Sequence, residues 1–310
     1  MSEFQLKTPV AFIIFNRPDT TSRVFAEISK ARPPKLLVVG DGPRADRPGE
    51  DKKVAAARAI IEKVDWDCEV LTNFSEINLG CKKRVSSGID WIFEQVEEAI
   101  ILEDDCLPEP SFFRFCQEML ERYRCDQRVG MISGDNFLFD QEYIQDSYYF
   151  SKYVHIWGWA CWRDRWQQTY DVNMSMWPRV RDEGRVADLV GGPAETEYWS
   201  DIFERVYRAK IDTWDYQWGF ANWVQGRVCI LPSVNLISNI GFGINATHTV
   251  GVSEFADLPV KELHFPLVHP IGVLRNLKAD AYTFERCYSA PLWKRILGSV
   301  RAIVRTHLKI

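Results

Sequence analysis

The stretch from Ile100 to Cys106 reads IILEDDC, in which an apolar run ends in three adjacent carboxylates. The apolar run Ala99–Leu102 predicts a buried strand, and three adjacent carboxylates follow it at once. Adjacent carboxylates repel one another unless a cation compensates their charge. The triplet therefore indicates either a cation-binding strand end or an acidic turn ahead of the helix that begins near Pro110.

Strand-like and helix-like segments alternate through the first 135 residues. The predicted strands are 10–15, 36–39, 69–74, 99–102 and 129–133, and the predicted helices are 19–30, 51–64, 88–98 and 110–124. This alternation predicts an α/β fold, Rossmann-like, with a mostly parallel central sheet and helices on both faces. Open sheets of this kind bind ligands at the carboxyl ends of their strands, which is where the acidic triplet lies.

The chemistry of the triplet favours a divalent cation. Carboxylate oxygens are hard ligands that suit Mg²⁺ or Mn²⁺. Mg²⁺ commonly combines one or two carboxylates with the phosphate oxygens of a substrate. A nucleotide diphosphate is therefore a suitable partner for Glu103, Asp104 and Asp105.

Composition excludes several classes of protein. The chain has 310 residues and a net charge of −5, so it has no overall basic field that would attract nucleic acid. Its eight cysteines contain no C-x-x-C pair, which favours free thiols in a reducing compartment. Residues 1–9 lack an apolar export core, and no apolar run approaches the length of about 18 residues that spans a bilayer. We therefore expect a cytoplasmic location.

Seven blocks of sequence occur in a characteristic order. They are PVAFIIFNRP at 9–18, VVGDG at 38–42, ILEDDCLPEPSFFRF at 101–115, ISGDN at 132–136, GWACW at 158–162, DTWDYQW at 212–218 and QGRVCILPSVN at 225–235. Together they resemble the GT-A glycosyltransferases, and more narrowly N-acetylglucosaminyltransferase I and its bacterial relatives, in which the metal motif reads E-D-D. The resemblance runs from about Pro9 to Thr249.

The resemblance implies roles for residues on the donor side. Arg17 would contact the nucleotide, and Asp41 would accept a hydrogen bond from the nucleobase. Asp104 would face the ribose or the donor sugar, with Glu103 beside it. Asp105 would bind the metal, Mn²⁺ or Mg²⁺, directly.

Asp215 matches the catalytic base of the family. It stands between bulky aromatic residues in WDYQW, and partial burial there would raise its pKa and make it a better base. Asp212 is the nearby rival, and an N-cap role for Asp215 ahead of segment 218–224 is the structural alternative. A base acting on the acceptor implies single displacement with inversion.

Three other polar positions carry weaker signals. The resemblance allows His248 to be a second metal ligand or a diphosphate contact. Lys82, Lys83 and Arg84 precede the third predicted helix, and they are either phosphate or ribose contacts or an ordinary solvated basic turn.

Aromatic residues are concentrated in the second half of the chain. Nine of the twelve tryptophans fall between Trp157 and Trp223. Most large aromatic side chains belong to a core, and this is the expectation for Trp159 and Trp162. Trp157 and Trp214 each precede a motif expected at the cleft, so they are the candidates for stacking on an acceptor sugar.

The predicted organisation is a catalytic domain over 1–250 and an extension over 251–310. The domain is divided into a nucleotide-sugar donor half, 1–107, and an acceptor half, 108–250. The last stretch, 291–310, has apolar residues near one helical face and basic residues on the other. It is either an interfacial helix on anionic lipid or a terminal helix docked on the domain.

The leading hypothesis is a metal-dependent inverting glycosyltransferase that uses a nucleotide sugar, UDP by the resemblance, and a glycan or lipid-linked acceptor. A sugar-phosphate nucleotidyltransferase is the enzymatic alternative, but the loop Asn16–Asp19 lacks the glycines that would cradle a triphosphate. A non-catalytic carbohydrate-binding protein is the third possibility, against which the intact Asp105 and Asp215 argue.

Overall fold

The computed structural model describes residues 4–139, 143–242 and 255–289. The strands are β1 (Val10–Ile14), β2 (Lys35–Gly40), β3 (Glu69–Phe74), β4 (Glu98–Glu103), β5 (Cys106–Pro108), β6 (Val129–Ser133), β7 (Tyr148–Ser151), β8 (Trp159–Trp162), β9 (Val228–Pro232) and β10 (Ile237–Asn239). The helices are α1 (Pro18–Ala31), α2 (Glu50–Ala59), α3 (Cys81–Gln95), α4 (Ser111–Tyr123), α5 (Arg163–Gln167), α6 (Trp177–Asp182), α7 (Val186–Val190), α8 (Pro193–Tyr207), α9 (Asp215–Val224) and α10 (Leu277–Thr283).

The central sheet of the described residues has eight strands in the order β3-β2-β1-β4-β8-β6-β9-β7. Strands β1, β2, β3, β4, β6 and β9 run in one direction, and β7 and β8 run against them. A separate pair is formed by β5 and β10. The predicted α/β fold with a mostly parallel sheet is confirmed.

Helices cover both faces of this sheet, and its strands are largely buried on both sides except for the edge strand β3. In β1, Phe12 packs into one apolar cluster with α1 and α4, whereas Ala11 packs into a second cluster with α3 and α9. Helix α4 supplies an apolar stripe at helical spacing, with Phe112, Phe115 and Met119 buried. The apolar runs in the sequence are therefore two-sided strands, as in other parallel sheets.

The third helix begins at Cys81, seven residues before the predicted start at 88. Gly80 adopts a positive φ of 80° immediately before it, and residues 82–84 form the first turn rather than a loop. A side chain at Gly88 would lie 2.5 Å from Val39 Cγ1, so glycine allows the helix to approach β2 closely. The weak helix formers Ser86, Ser87 and Gly88 hid this start from sequence analysis.

A third apolar cluster lies among α6, α7, α8 and α9. Its buried aromatic residues include Trp177, Trp199, Phe203, Phe220 and Trp223. Much of the tryptophan enrichment therefore builds a helical core, and this core carries α9 and its first residue, Asp215.

The described part of the C-terminal region, residues 255–289, packs against the sheet. Leu263 and Leu267 enter the cluster of α1 and α4, and Ala279 enters the cluster of α3. The predicted boundary at 250 stays a prediction, and the predicted helix 291–310 lies outside the described residues. No helix in the described ranges is long and apolar enough to cross a membrane.

Candidate active site

The strand order brings distant parts of the sequence to one edge of the sheet. Strands β2, β1 and β4 are neighbours, and Ile13 of β1 pairs with Glu103 of β4. Arg17 follows β1, Asp41 follows β2, and Asp104 and Asp105 follow β4. Because these strands are parallel, the predicted donor-side residues meet at their carboxyl ends.

Arg17 is the cation that faces the acidic triplet. Its Nη2 lies 2.7 Å from Asp104 Oδ1, and its Nη1 lies 2.8 Å from Asp105 Oδ2. Burial opposes the charge on Arg17, but the carboxylates of Asp104 and Asp105 outweigh it and raise its pKa. The Arg17 side chain remains 23% exposed, so part of it is accessible.

Asp104 is the buried member of the triplet. It is 2% exposed, and its Oδ2 accepts a hydrogen bond from the Phe15 N–H at 3.0 Å. Burial raises the pKa of Asp104 to about 6, although Arg17 acts in the opposite direction. Asp104 therefore anchors the loop after β1, while the Asp105 side chain is 14% exposed and faces the open side.

Glu103 is the last residue of β4. Burial, followed by the charges of Asp105 and Asp104, raises its pKa to about 8. Asp215 contributes to the same rise, which places its carboxylate within electrostatic range of Glu103. The triplet and the predicted base therefore belong to one acidic cleft.

The small sheet of β5 and β10 closes one side of the Arg17–Asp105 pair. The Ile240 N–H donates to the Asp105 backbone carbonyl at 2.8 Å, which places Gly241 over the pair. A side chain at Gly241 would overlap the Asp105 carboxylate and lie 2.6 Å from Arg17 Nη1. Sequence analysis missed Gly241, whose only local signal is that it is a glycine.

Asp41 organises the turn at residues 78–80. Its carboxylate accepts hydrogen bonds from the N–H groups of Gly42 and Leu79, both at 2.9 Å, and of Gly80 at 3.2 Å. The Asn78 amide donates to it at 2.9 Å. Burial raises the pKa of Asp41, and these backbone hydrogen bonds lower it. Its proposed contact with a nucleobase stays a prediction.

Glu50 joins the loop after β1 to the loop after β2, and sequence analysis missed it. Its Oε1 accepts from Asn16 Nδ2 at 2.8 Å, and its Oε2 accepts from the Arg44 N–H at 2.7 Å. The Arg44 guanidinium also pairs with it at 2.5 Å. The Glu50 side chain is 6% exposed. Burial alone would raise the pKa of Glu50, but Arg44 and Asn16 outweigh it and lower the pKa to about 2.

Glu50→Gln should lower the free energy of unfolding at pH 7 by about 1–2 kcal/mol. The folded protein holds the Glu50 carboxylate deprotonated below its ordinary pKa of 4.5, so its contribution is present above that pH and is lost as the pH falls toward 2. The Arg44 side chain is 36% exposed, so solvent screens the pair and limits the effect.

Urea unfolding over a pH series measures this contribution. The stability of Glu50→Gln should fall less on acidification than that of the wild type. The control Glu62→Gln, at an exposed position, should show the same fall as the wild type. An unchanged acid dependence in Glu50→Gln would contradict the assignment.

Asp215 is the first residue of α9, and Trp214 occupies the N-cap position. The N-cap alternative for Asp215 is therefore wrong. The Thr213 hydroxyl donates a hydrogen bond to Asp215 Oδ1. The rival Asp212 is exposed, and its Oδ2 lies 3.3 Å from the position that a side chain on Gly80 would occupy.

Cys81 lies within electrostatic range of carboxylates from both parts of the acidic cleft. Burial raises the pKa of its thiol, and the charges of Glu103, Asp215 and Asp212 raise it further. These carboxylates come from β4, from the start of α9 and from the loop before it, so the fold brings together the two halves of the predicted site.

Among the weaker polar candidates, Arg84 has a structural role. Arg84 is buried, and its Nη2 donates to the Asn73 side chain at 2.8 Å at the end of β3, which excludes it as a phosphate contact in this arrangement. Lys82 is half-buried and Lys83 is exposed. His248 lies outside the described residues.

The tryptophan predictions divide into two groups. Trp159 and Trp162 are core residues, as predicted. Trp214 is 2% exposed and stacks on Trp159 with a centroid distance of 5.7 Å, so the prediction that it stacks on an acceptor is wrong. Trp157 is half-buried beside Phe242 and remains a candidate.

A metal would depend on phosphate oxygens for much of its coordination. Among the described residues, no three His, Cys, Asp or Glu side chains converge as a ligand set. Arg17 pairs with both Asp104 and Asp105, and Asp105 is the more exposed of the two carboxylates, with its side chain 14% exposed. One carboxylate with phosphate oxygens and water is an ordinary donor set for Mg²⁺, so the residues present fit such an ion.

No family model and no curated protein matches this chain. Solved structures with similar folds include S. aureus TarS 1-349, with 9% identity, a TM-score of 0.42, and coverage of 75% of this chain and 60% of that chain. The mannosyltransferase PcManGT from Pyrobaculum calidifontis, in complex with GDP-Man and Mn²⁺, matches with 11% identity, a TM-score of 0.41, and coverage of 72% and 70%.

A UDP-glucose pyrophosphorylase complexed with UDP-glucose matches with 11% identity, a TM-score of 0.37, and coverage of 73% of this chain and 90% of that chain. The chain spans less than two thirds of the length of the TarS chain. Because all these TM-scores are below 0.5, a function for this protein has to come from the residues of its site.

Proposed function

We propose that this protein is a GT-A glycosyltransferase that moves a sugar from a nucleotide diphosphate to a hydroxyl acceptor. The observation that carries the proposal is the meeting of Arg17 and Asp105 at the strand ends with Asp215 in one acidic cleft. One part of this cleft suits an anionic leaving group, and the other supplies a carboxylate base.

The donor side is suited to a diphosphate. Arg17 presents a partly exposed guanidinium, which binds phosphate oxygens through charge-assisted hydrogen bonds. Asp105 would hold Mg²⁺ or Mn²⁺ together with those oxygens, and the ion would stabilise the charge on the leaving diphosphate. Asp104 fixes Arg17 and the Phe15 backbone, so the loop after β1 is ordered before the donor binds.

The acceptor side requires a group that takes a proton from a hydroxyl. Asp215 is a partly buried carboxylate at the start of α9, and the Thr213 hydroxyl orients it. Proton transfer to such a base assists direct attack of the acceptor oxygen on the anomeric carbon. Single displacement of this kind inverts the anomeric configuration.

The sequence resemblance supports UDP as the nucleotide and a glycan as the acceptor. The composition supports a cytoplasmic location, and the basic amphipathic pattern of residues 291–310 supports membrane-surface contact and a lipid-linked acceptor. A sugar-phosphate nucleotidyltransferase would instead release pyrophosphate from a nucleoside triphosphate and a sugar 1-phosphate. A binding protein without turnover would release no nucleotide from any nucleotide sugar.

Asp105→Asn should abolish the metal-dependent part of nucleotide binding. Thermal shift with UDP and GDP, with and without Mn²⁺, should show that nucleotide raises the melting temperature of the wild type most strongly when metal is present. The variant should lose this metal-dependent increment because the carboxylate that would hold the ion is gone.

The control for this experiment is Asp67→Asn, which removes an exposed carboxylate away from the carboxyl ends of the strands. It should respond to nucleotide and metal like the wild type. An undiminished metal-dependent shift in Asp105→Asn would refute the metal assignment, and no response of the wild type to any nucleotide would refute the proposed function.

A further inference from the structure

Four residues that follow β6 or precede β8 form a compact group, here named the 135–157 cluster: Asp135, Phe137, His155 and Trp157. The rings of Phe137 and His155 stack with a centroid distance of 4.4 Å, and Trp157 meets Phe137 edge-on at 5.2 Å. The Trp157 N–H donates to Asp135 Oδ2 at 3.0 Å. The cluster thus combines aromatic faces with polar groups.

Three polar atoms of the cluster have no hydrogen-bond partner among the described residues. They are Asp135 Oδ1 and both ring nitrogens of His155. The two side chains are 0% and 3% exposed, respectively, so bulk water does not satisfy these atoms. Buried polar atoms without partners are destabilising and uncommon in native proteins, and a ligand that pairs with them is one explanation of their presence.

Burial favours the neutral forms of the two buried titratable groups of the cluster. Burial raises the pKa of Asp135 well above its ordinary range, and burial lowers the pKa of His155 to about 3. A protonated carboxyl donates one hydrogen bond, and a neutral imidazole donates one and accepts one. The three atoms therefore offer both donors and acceptors without a net charge.

The cluster adjoins the candidate active site. The Trp157 ring meets the Phe242 ring at 5.7 Å, and Phe242 directly follows Gly241, whose backbone lies against Arg17 and Asp105. On the other side, Asp135 lies within electrostatic range of Cys106, the residue after Asp105. A ligand on the cluster would therefore lie near the Arg17–Asp105 pair.

We infer that the 135–157 cluster is the subsite that binds a neutral pyranose ring of the acceptor. The inference rests on the proposed function, because it assigns the acceptor to the same cleft. The apolar C–H face of a pyranose suits the half-buried rings of Phe137 and Trp157, and its hydroxyls suit the three unpartnered atoms. An acidic sugar is disfavoured, because the four residues offer no cation to a buried carboxylate.

Saturation-transfer difference NMR with the full chain tests the subsite directly. The probes are the methyl glycosides of glucose, galactose, mannose and N-acetylglucosamine, with methyl glucuronide as the acidic counterpart. The wild type should saturate the ring protons of at least one neutral glycoside and should saturate the glucuronide more weakly. No saturation of any neutral glycoside, or a stronger signal from the glucuronide, would overturn the inference.

His155→Phe separates a binding role from a structural one. The substitution removes two unpartnered nitrogens and keeps an aromatic ring against Phe137, so the melting temperature should rise by a few degrees while glycoside saturation is lost. Trp157→Leu is the second variant, because its half-buried position is tolerant of change, and it should also lose the signal.

Tyr149→Phe is the matched control, since it removes another buried unpartnered polar atom outside the cluster and should keep glycoside binding. Wild-type saturation in both His155→Phe and Trp157→Leu would overturn the inference. The thermal shift with nucleotide and Mn²⁺ on the same samples reports the donor site separately, so failure of the subsite is distinguishable from failure of the proposed function.

Discussion

Asp215→Asn should lower the rate of sugar transfer by about 10²–10⁴-fold while nucleotide binding is retained. The amide preserves the size of the side chain and its hydrogen bond with Thr213, but it does not accept a proton at neutral pH. The loss should appear in kcat at saturating donor, because the base acts on the acceptor and not on the nucleotide. Release of nucleoside diphosphate measures the rate, and thermal shift measures donor binding.

Asp212→Asn is the matched comparison for this experiment. Asp212 stands three residues earlier, lines the same cleft at Gly80 and is exposed, so it differs from Asp215 mainly in its surroundings. We expect its loss to slow transfer far less. Full activity of Asp215→Asn together with inactivity of Asp212→Asn would move the base to Asp212 and leave the rest of the site unchanged.

Arg17→Met should lower the free energy of unfolding by about 3 kcal/mol, the low end of the range for breaking a buried ion pair. Asp104 is 2% exposed and would lose the cation that compensates its carboxylate. The Phe15 N–H still donates to Asp104, and Arg17 itself is 23% exposed, which limits the loss. Urea unfolding at pH 7 measures the change, and donor binding should be lost in the same variant.

The double variant Arg17→Met/Asp104→Asn should recover most of this stability, because no buried charge is left without a partner. It should not recover nucleotide binding, since the guanidinium is still absent. Arg179→Met serves as a control. The Arg179 side chain pairs with Glu183 and is 82% exposed, so the substitution should leave stability unchanged. Wild-type stability of Arg17→Met would show that Asp104 is neutral or satisfied by other groups.

Four of the five predicted strands were found because each is a short apolar run, and the fifth, β3, is an edge strand with no buried residue. The predictions for β3 and β6 agree with the structure residue for residue, and β1 differs by one residue at its end. Strands buried on both faces are apolar throughout, so their sequence pattern does not depend on the neighbours they choose. The start of α3 was missed because Gly88 is a weak helix former. Glycine is needed there because the helix lies close to Val39.

The candidate site was predictable only in part. A residue that directly follows a strand is placed by that strand, so the local pattern assigned the acidic triplet to the carboxyl edge of the sheet, whereas Arg17 and Asp41 were assigned through the sequence resemblance. Glu50 and Gly241 were missed because their partners are distant in sequence, as with Asn16, which lies 34 residues from Glu50. Trp214 was misassigned because a motif does not show which way a ring points.

By itself, the sequence determined the alternation of strands and helices, the α/β class and the position of the acidic triplet after a buried strand. These properties depend on local hydrophobicity and on residues adjacent in the chain. Only the tertiary structure decided that Arg17 neutralises Asp104 and Asp105, and that Asp215 shares their cleft. Such contacts depend on strand order and on helix packing, which bring together groups that are far apart in the sequence. No local sequence pattern specifies which of these groups meet.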